Sequence, residues 1–251
     1  MIRLFVSILA AAVGLLVLAP RPAHADLRDY IFNQGYYTPK KGEFEVELYN
    51  DYNFTDTANS DEDSSKHQVE LEYGLTSHLA LAYYEVYGWN REEDFNREEL
   101  KVETKYRFLE AGELPVDIAL YAEYVNPNGH QEVRSDEMEL KLILSKNLGP
   151  WNVTGNFIAE REINQHDPWA LEYTLGVSYP IHPKVHLGLE IKETLGKTDN
   201  LGIHRDDHEF QLMPVVAASL TPHSRILFGP AIGLTHAADD LQLKSIVEIE
   251  F

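Results

Sequence analysis

The chain has 251 residues, 44% of them apolar, no cysteine, and 41 acids against 21 bases for a formal net charge of −20. Such an acidic chain is a poor polyanion binder, which sets nucleic acid aside as a partner and favours cationic or neutral solutes over anionic ones. The lack of cysteine excludes a small disulfide-stapled domain, whereas the negative mean hydropathy does not exclude a membrane, because the two faces of a barrel strand cancel in any windowed average.

Met1-Ile-Arg3 is a short basic head, Leu4 to Ala19 a nearly unbroken apolar run, and Ala23-His24-Ala25 a small-x-small site. The run is short for a spanning helix and ends in Pro20-Arg-Pro22. Residues 1–25 are therefore expected to be a signal peptide cleaved after Ala25. Its removal takes away Arg3 and Arg21 and no acid, moving the net charge from −20 to −22. Residues 26–42 follow as a lead-in rich in aromatics. It either stays in the periplasm with Tyr36 and Tyr37 resting on the membrane interface or folds into a lumen as a small plug, and both readings stay open.

From residue 43 to 251 the pattern is period two. In the first segment Phe44, Val46, Leu48, Tyr52 and Phe54 share a face opposite Glu43, Glu45, Glu47, Tyr49, Asp51 and Asn53, as a strand between unlike surroundings requires. Similar segments are expected near 66–76, 79–89, 98–108, 114–125, 136–146, 151–161, 169–179, 185–195, 208–220, 225–235 and 241–251. Most are about 11 residues, the length of a tilted membrane-crossing strand. Long, mostly acidic connections alternate with tight ones, the asymmetry of outer loops and periplasmic turns, and an even strand count leaves both termini in the periplasm. The expected fold is all-β: a 12-stranded antiparallel transmembrane β-barrel of the outer membrane, preceded by a signal peptide.

A lipid-facing set follows from the periodicity: Val69, Leu71, Tyr73, Leu75, Leu100, Val102, Tyr106, Phe108, Val116, Ile118, Leu120, Met138, Leu140, Leu142, Leu144, Val153, Phe157, Leu171, Tyr173, Leu175, Val177, Val185, Leu187, Leu189 and Ile191. Aromatics gather near strand ends as interfacial girdles. Leu79 to Trp89 is apolar on both faces with Glu85 on one, so its register is ambiguous. Pro214 and Pro230 fall mid-strand, where a missing N–H predicts bulges or a weakened ladder.

Gly74-Leu-Thr-Ser-His-Leu-Ala-Leu81 and Ser219-Leu-Thr-Pro-His-Ser-Arg-Ile-Leu227 share a Leu-Thr-x-His turn, and the last strand ends on Phe251. In these hairpins and this terminus the chain resembles the Gram-negative outer-membrane barrels grouped under the MetA pathway of phenol degradation. The resemblance carries over no functional residue. Phe251 is read as the C-terminal barrel-assembly signal, making the assembly machinery a partner together with outer-membrane lipids and lipopolysaccharide.

The inward candidates are Glu45, Glu47, Glu70, Glu72, Lys101, Glu103, Lys105, Arg107, Glu139, Lys141, Glu190 and Lys192. So many charges must be hydrated or paired. A water-filled, carboxylate-lined lumen implies a passive, porin-like channel for small polar or cationic solutes; bridging of Lys101, Lys105, Arg107, Lys141 and Lys192 to facing Glu residues would instead mark a closed-lumen structural or surface-binding barrel. Twelve-stranded acidic-oligosaccharide porins are similar in architecture only, since they line their pores with basic residues.

An outer-membrane lipid-modifying enzyme is the least favoured class: no His-x-Ser occurs, and His78, His182, His186 and His223 have no nucleophile and orienter assignable from sequence. His204-Arg-Asp-Asp-His-Glu209 and Asp61-Glu-Asp63 read as solvated loop charge rather than metal sites. No cofactor or metal is expected.

Overall fold

The computed structural model describes residues 28–59, 62–90, 95–127, 135–163, 167–202 and 208–251; the leader assigned to residues 1–25 lies outside them. Twelve long strands are present: β1 Phe44–Phe54, β2 Ser64–Gly74, β3 Leu79–Asn90, β4 Asn96–Arg107, β5 Asp117–Pro127, β6 Glu137–Leu148, β7 Trp151–Glu162, β8 Ala170–His182, β9 Val185–Lys197, β11 Phe210–Thr221, β12 Ser224–Gly233 and β13 Leu241–Glu250. Between β9 and β11, the two-residue β10 (Asn200–Leu201) folds back on Lys197 and Gly196. Each long strand pairs antiparallel with the next, and β1 pairs with β13, so the sheet closes on itself as the expected 12-stranded barrel. At the closure the Phe251 N–H donates to the Phe44 carbonyl at 2.8 Å.

The alternation of residue types becomes the two surfaces of the wall. On β4, Val102 and Tyr106 face outward while Glu103, Lys105 and Arg107 are buried inside. Every member of the lipid-facing set is exposed or half-buried on the outer surface, where hydrocarbon rather than water is its solvent. β3 takes the register in which Ala80, Ala82, Tyr84 and Val86 point inward. Glu85 consequently stands on the outer face, where it accepts hydrogen bonds from the hydroxyls of Tyr83 (2.9 Å) and Tyr87 (2.6 Å).

Several boundaries differ from the sequence reading for local reasons. β2 ends at Gly74, because the next two N–H groups, of Leu75 and Thr76, both turn to the Leu79 carbonyl at 2.9 and 3.1 Å. β5 begins at Asp117 rather than 114, beyond Pro115, which has no N–H to donate to a ladder. β6 and β7 are joined by Gly149-Pro150, with Gly149 at φ 62°, a conformation natural to glycine. At Pro214 and Pro230 the ladder is weakened without a bulge. The β11–β12 rungs stop at Leu212↔Ile232 and resume in the same register at Val216↔Phe228, and the one register shift of this pair lies at Ser219/Thr221.

Candidate functional site

The lumen is occupied by the segment 28–40. It leaves β1 at Gly42, whose φ of 89° makes the corner and whose N–H donates to the Gly74 carbonyl at 2.8 Å. Running back from there, Thr38 sits beside Arg107 (3.1 Å), and the Tyr36 hydroxyl donates to the Leu109 carbonyl. At mid-wall Glu190 accepts three hydrogen bonds, from the N–H groups of Ile31 (2.7 Å) and Asn33 (2.8 Å) and from the Asn33 side-chain amide (2.8 Å). The Gln34 N–H donates to Asn156 at 2.6 Å, and the Tyr30 hydroxyl donates to Asn152. Gly176 is what lets Tyr30 lie flat on the wall: a Cβ there would come within 2.6 Å of its ring.

The segment then turns back towards the tight-turn end. Asp29 accepts from Ser178 (2.7 Å), pairs with His186 (2.8 Å) and is bound by Arg225. Burial pushes the Asp29 carboxyl up, but the His186 hydrogen bond and the Arg225 charge outweigh burial and hold it below the ordinary aspartate value. Arg28 reaches Glu47 (3.0 Å) and the Tyr49 hydroxyl (2.9 Å). Asn33 is fully buried, so each polar atom this segment brings into the wall must find a partner there.

Below this segment, β13, β1 and β2 place six carboxylates in two rungs, Glu250–Glu45–Glu72 and Glu248–Glu47–Glu70. Glu45, Glu248 and Glu250 each bring an oxygen within 4.8 Å of the others. Tyr49 donates to Glu70 at 2.7 Å and to Glu47, Tyr84 donates to Glu103, and Lys105 pairs with Glu72 at 3.3 Å. Above it lies a cavity of about 250 Å³ floored by Phe32 and Gln34 and ringed by Lys101, Lys141, Lys192 and Lys244. Lys101 meets Glu123 (3.3 Å), Lys141 meets Glu139 (2.8 Å), Lys192 meets Glu172 (3.1 Å) and Lys244 meets Asp51 (2.6 Å).

With Arg107 on Glu110 (2.6 Å), all five cations proposed as markers of a closed lumen are bridged to carboxylates, although Glu139 lies on the strand of Lys141 and Glu110 in the turn after Arg107. The lumen is thus graded: acidic towards the tight-turn end, mixed towards the long loops. Sequence periodicity identified the wall residues but not the partners contributed by Arg28, Asp29 and Asn33, because a segment without regular structure has no period to read.

Elsewhere, the His78 ring lies between the Ser77 hydroxyl (3.1 Å) and Glu110 (3.4 Å), a contact that sequence alone did not assign. It sits on an open turn, and Glu110 also takes two guanidinium hydrogen bonds from Arg107, which hold its carboxyl below the ordinary glutamate value. The cluster therefore closes the turn. His204 and its neighbours through Asp207 lie outside the described residues, as does Asp61; His208 contacts Glu193 at 3.0 Å.

A closed wall with an apolar outer band and charged inner face defines a transmembrane β-barrel of the outer-membrane channel and porin fold. No family model matches the chain, and no curated protein is matched by its sequence. In three dimensions it is similar to the COG4313 outer membrane channel of Pseudomonas putida F1, at 17% identity over 88% of this chain and 100% of that one, with a TM-score of 0.62. It is similar also to the KdgM porin (8% identity, 82% and 98% covered, TM-score 0.57) and to the NanC porin (9%, 82% and 98%, 0.57). At such identities the likeness establishes the fold.

Proposed function

We propose that the mature chain, cleaved after Ala25, is an outer-membrane channel for small polar or cationic solutes whose lumen is held shut at rest by residues 28–40. The supporting observation is the anchoring of that segment to Glu190, which takes three of its donors at 2.7–2.8 Å in the middle of the wall. A segment joined to the barrel only at Gly42 and otherwise held by hydrogen bonds and ion pairs is displaceable without unfolding the sheet. Once it is withdrawn, the graded lumen favours cations through the carboxylates of its acidic end. The apolar outer face takes membrane lipid and lipopolysaccharide as its surroundings. Phe251, at the closing rung, presents the C-terminal strand to the assembly machinery.

The bridged lysines favour a second reading, a permanently closed structural barrel. Planar-bilayer recording separates the two. The mature chain is expected to conduct in rare steps and a chain lacking residues 26–40 steadily, with a cation-selective reversal potential under a salt gradient. If the shortened chain inserts and folds but stays silent, the lumen is closed by its own wall and the channel reading is wrong.

A further inference from the structure

We propose that Glu45, Glu248 and Glu250 form a calcium site that clasps the closing seam between β1 and β13 at the tight-turn end of the lumen. The site does not depend on whether the lumen conducts.

The carboxylates of the two acidic rungs divide into two groups of three. Glu47, Glu70 and Glu72 have donors: Arg28 (3.0 Å) and Tyr49 for Glu47, Tyr49 (2.7 Å) for Glu70 and Lys105 (3.3 Å) for Glu72. Glu45 and Glu248 make no ion pair among the described residues, and Glu250 has the His223 ring at 4.0 Å. The three left without close cations are also the three that converge, each with an oxygen within 4.8 Å of the others. Glu45 stands directly opposite Glu250, and Glu248 opposite Glu47 one step further in on the same face. Like charges so placed repel unless something neutralises them.

Glu248 points to a ligand from outside the chain. It is 1% exposed, and its Oε2 is buried with no hydrogen-bond partner. Arg225 is its cross-strand neighbour on β12, but that guanidinium is turned to Asp29. Buried charges in folded proteins are paired or bind metals, and one left uncompensated is strongly destabilising. Carboxylate oxygens alone make a donor set for a hard cation, and Ca²⁺ takes roughly six to eight of them at about 2.3–2.6 Å in irregular geometry. Oxygens on opposite sides of Ca²⁺ are then about 4.6–5.2 Å apart, so three oxygens within 4.8 Å of one another can share one ion. Mg²⁺ demands a near-octahedral set and sheds water reluctantly, so an irregular trio across a strand seam favours Ca²⁺. Glu45 and Glu250 lie at the tight-turn ends of their strands and are half-buried, which leaves the ion a way in from that mouth.

The mature chain is refolded from inclusion bodies into a nonionic detergent, where no lipopolysaccharide competes for divalent ions. It is stripped with EGTA and titrated calorimetrically with Ca²⁺ in the presence of Mg²⁺. The parent chain is expected to bind Ca²⁺ at a site whose affinity falls at least tenfold in Glu45→Gln and in Glu248→Gln. Glu85→Gln, which removes the same charge from the outer face, is expected to leave that affinity unchanged. Urea unfolding reads the clasp itself: Ca²⁺ is expected to raise the midpoint of the parent chain and not that of Glu248→Gln, which in EGTA is at least as stable as the parent because it relieves repulsion. Should Glu248→Gln not fold, as judged by heat-modifiable gel mobility, Glu250→Gln tests the same seam from its more exposed end. A parent chain that binds no Ca²⁺, binding that survives all three seam substitutions, or binding lost equally in Glu85→Gln overturns the proposal.

Discussion

Glu190 shows how one side chain holds a segment that has no regular structure. Three donors converge on its two oxygens, so Glu190→Gln keeps the shape but turns an amide donor towards them, and leaving one buried donor unmet costs about 1–3 kcal/mol. The expected result is a lower urea midpoint and more frequent conducting steps; an unchanged step frequency would show that Glu190 does not retain the segment. Asp29 adds a pH dependence of definite sign. Its carboxyl titrates lower in the barrel than in the unfolded chain, so its hold on the segment is complete above about 3.9 and is lost as the pH falls through the still lower folded value. Steps are expected to become frequent only in that acid range, and Asp29→Asn to make them frequent at neutral pH. Glu190 was visible from periodicity as an inward carboxylate. Asp29 was not, because nothing in its neighbourhood repeats.

Leu142, near the middle of β6 and exposed on the outer face, is set against hydrocarbon by the same alternation that buries Ile143. Leu142→Arg is expected to cost about 2–4 kcal/mol of barrel stability in lipid, measured by reversible urea unfolding in vesicles, whereas a barrel standing in water would tolerate it. β3 shows the limit of strand reading. Its apolar residues on both faces left two registers open, and the neighbours decided between them: Tyr84 turned inward meets Glu103 of β4, and Glu85 turned outward meets two tyrosine hydroxyls. The two mid-strand prolines likewise announced a weak ladder, but that they share a rung depends on the pairing of β11 with β12, which neither strand contains by itself.

For the whole molecule, closure joins Phe44 to Phe251, the two ends of the barrel sequence. Deleting Phe251 is expected to slow folding into native membranes and to leave the wall of the folded remainder intact, as seen by pulse-chase gel mobility. In a chain lacking residues 26–40, changing Glu45, Glu47, Glu70 and Glu72 to Gln is expected to move the reversal potential towards zero; persistence of full cation selectivity would place the filter elsewhere. Strand number, the inner and outer faces and the alternation of long and tight connections were determined by the sequence alone, because a two-sided wall imposes period two on every strand and the pattern survives without knowledge of any partner. The tertiary structure alone decided that residues 28–40 lie inside the lumen, that Glu190 and Asp29 anchor them, that each luminal lysine has a carboxylate and that Pro214 meets Pro230. These are contacts between residues up to 196 positions apart, and their existence depends on how the barrel closes, which no local pattern encodes.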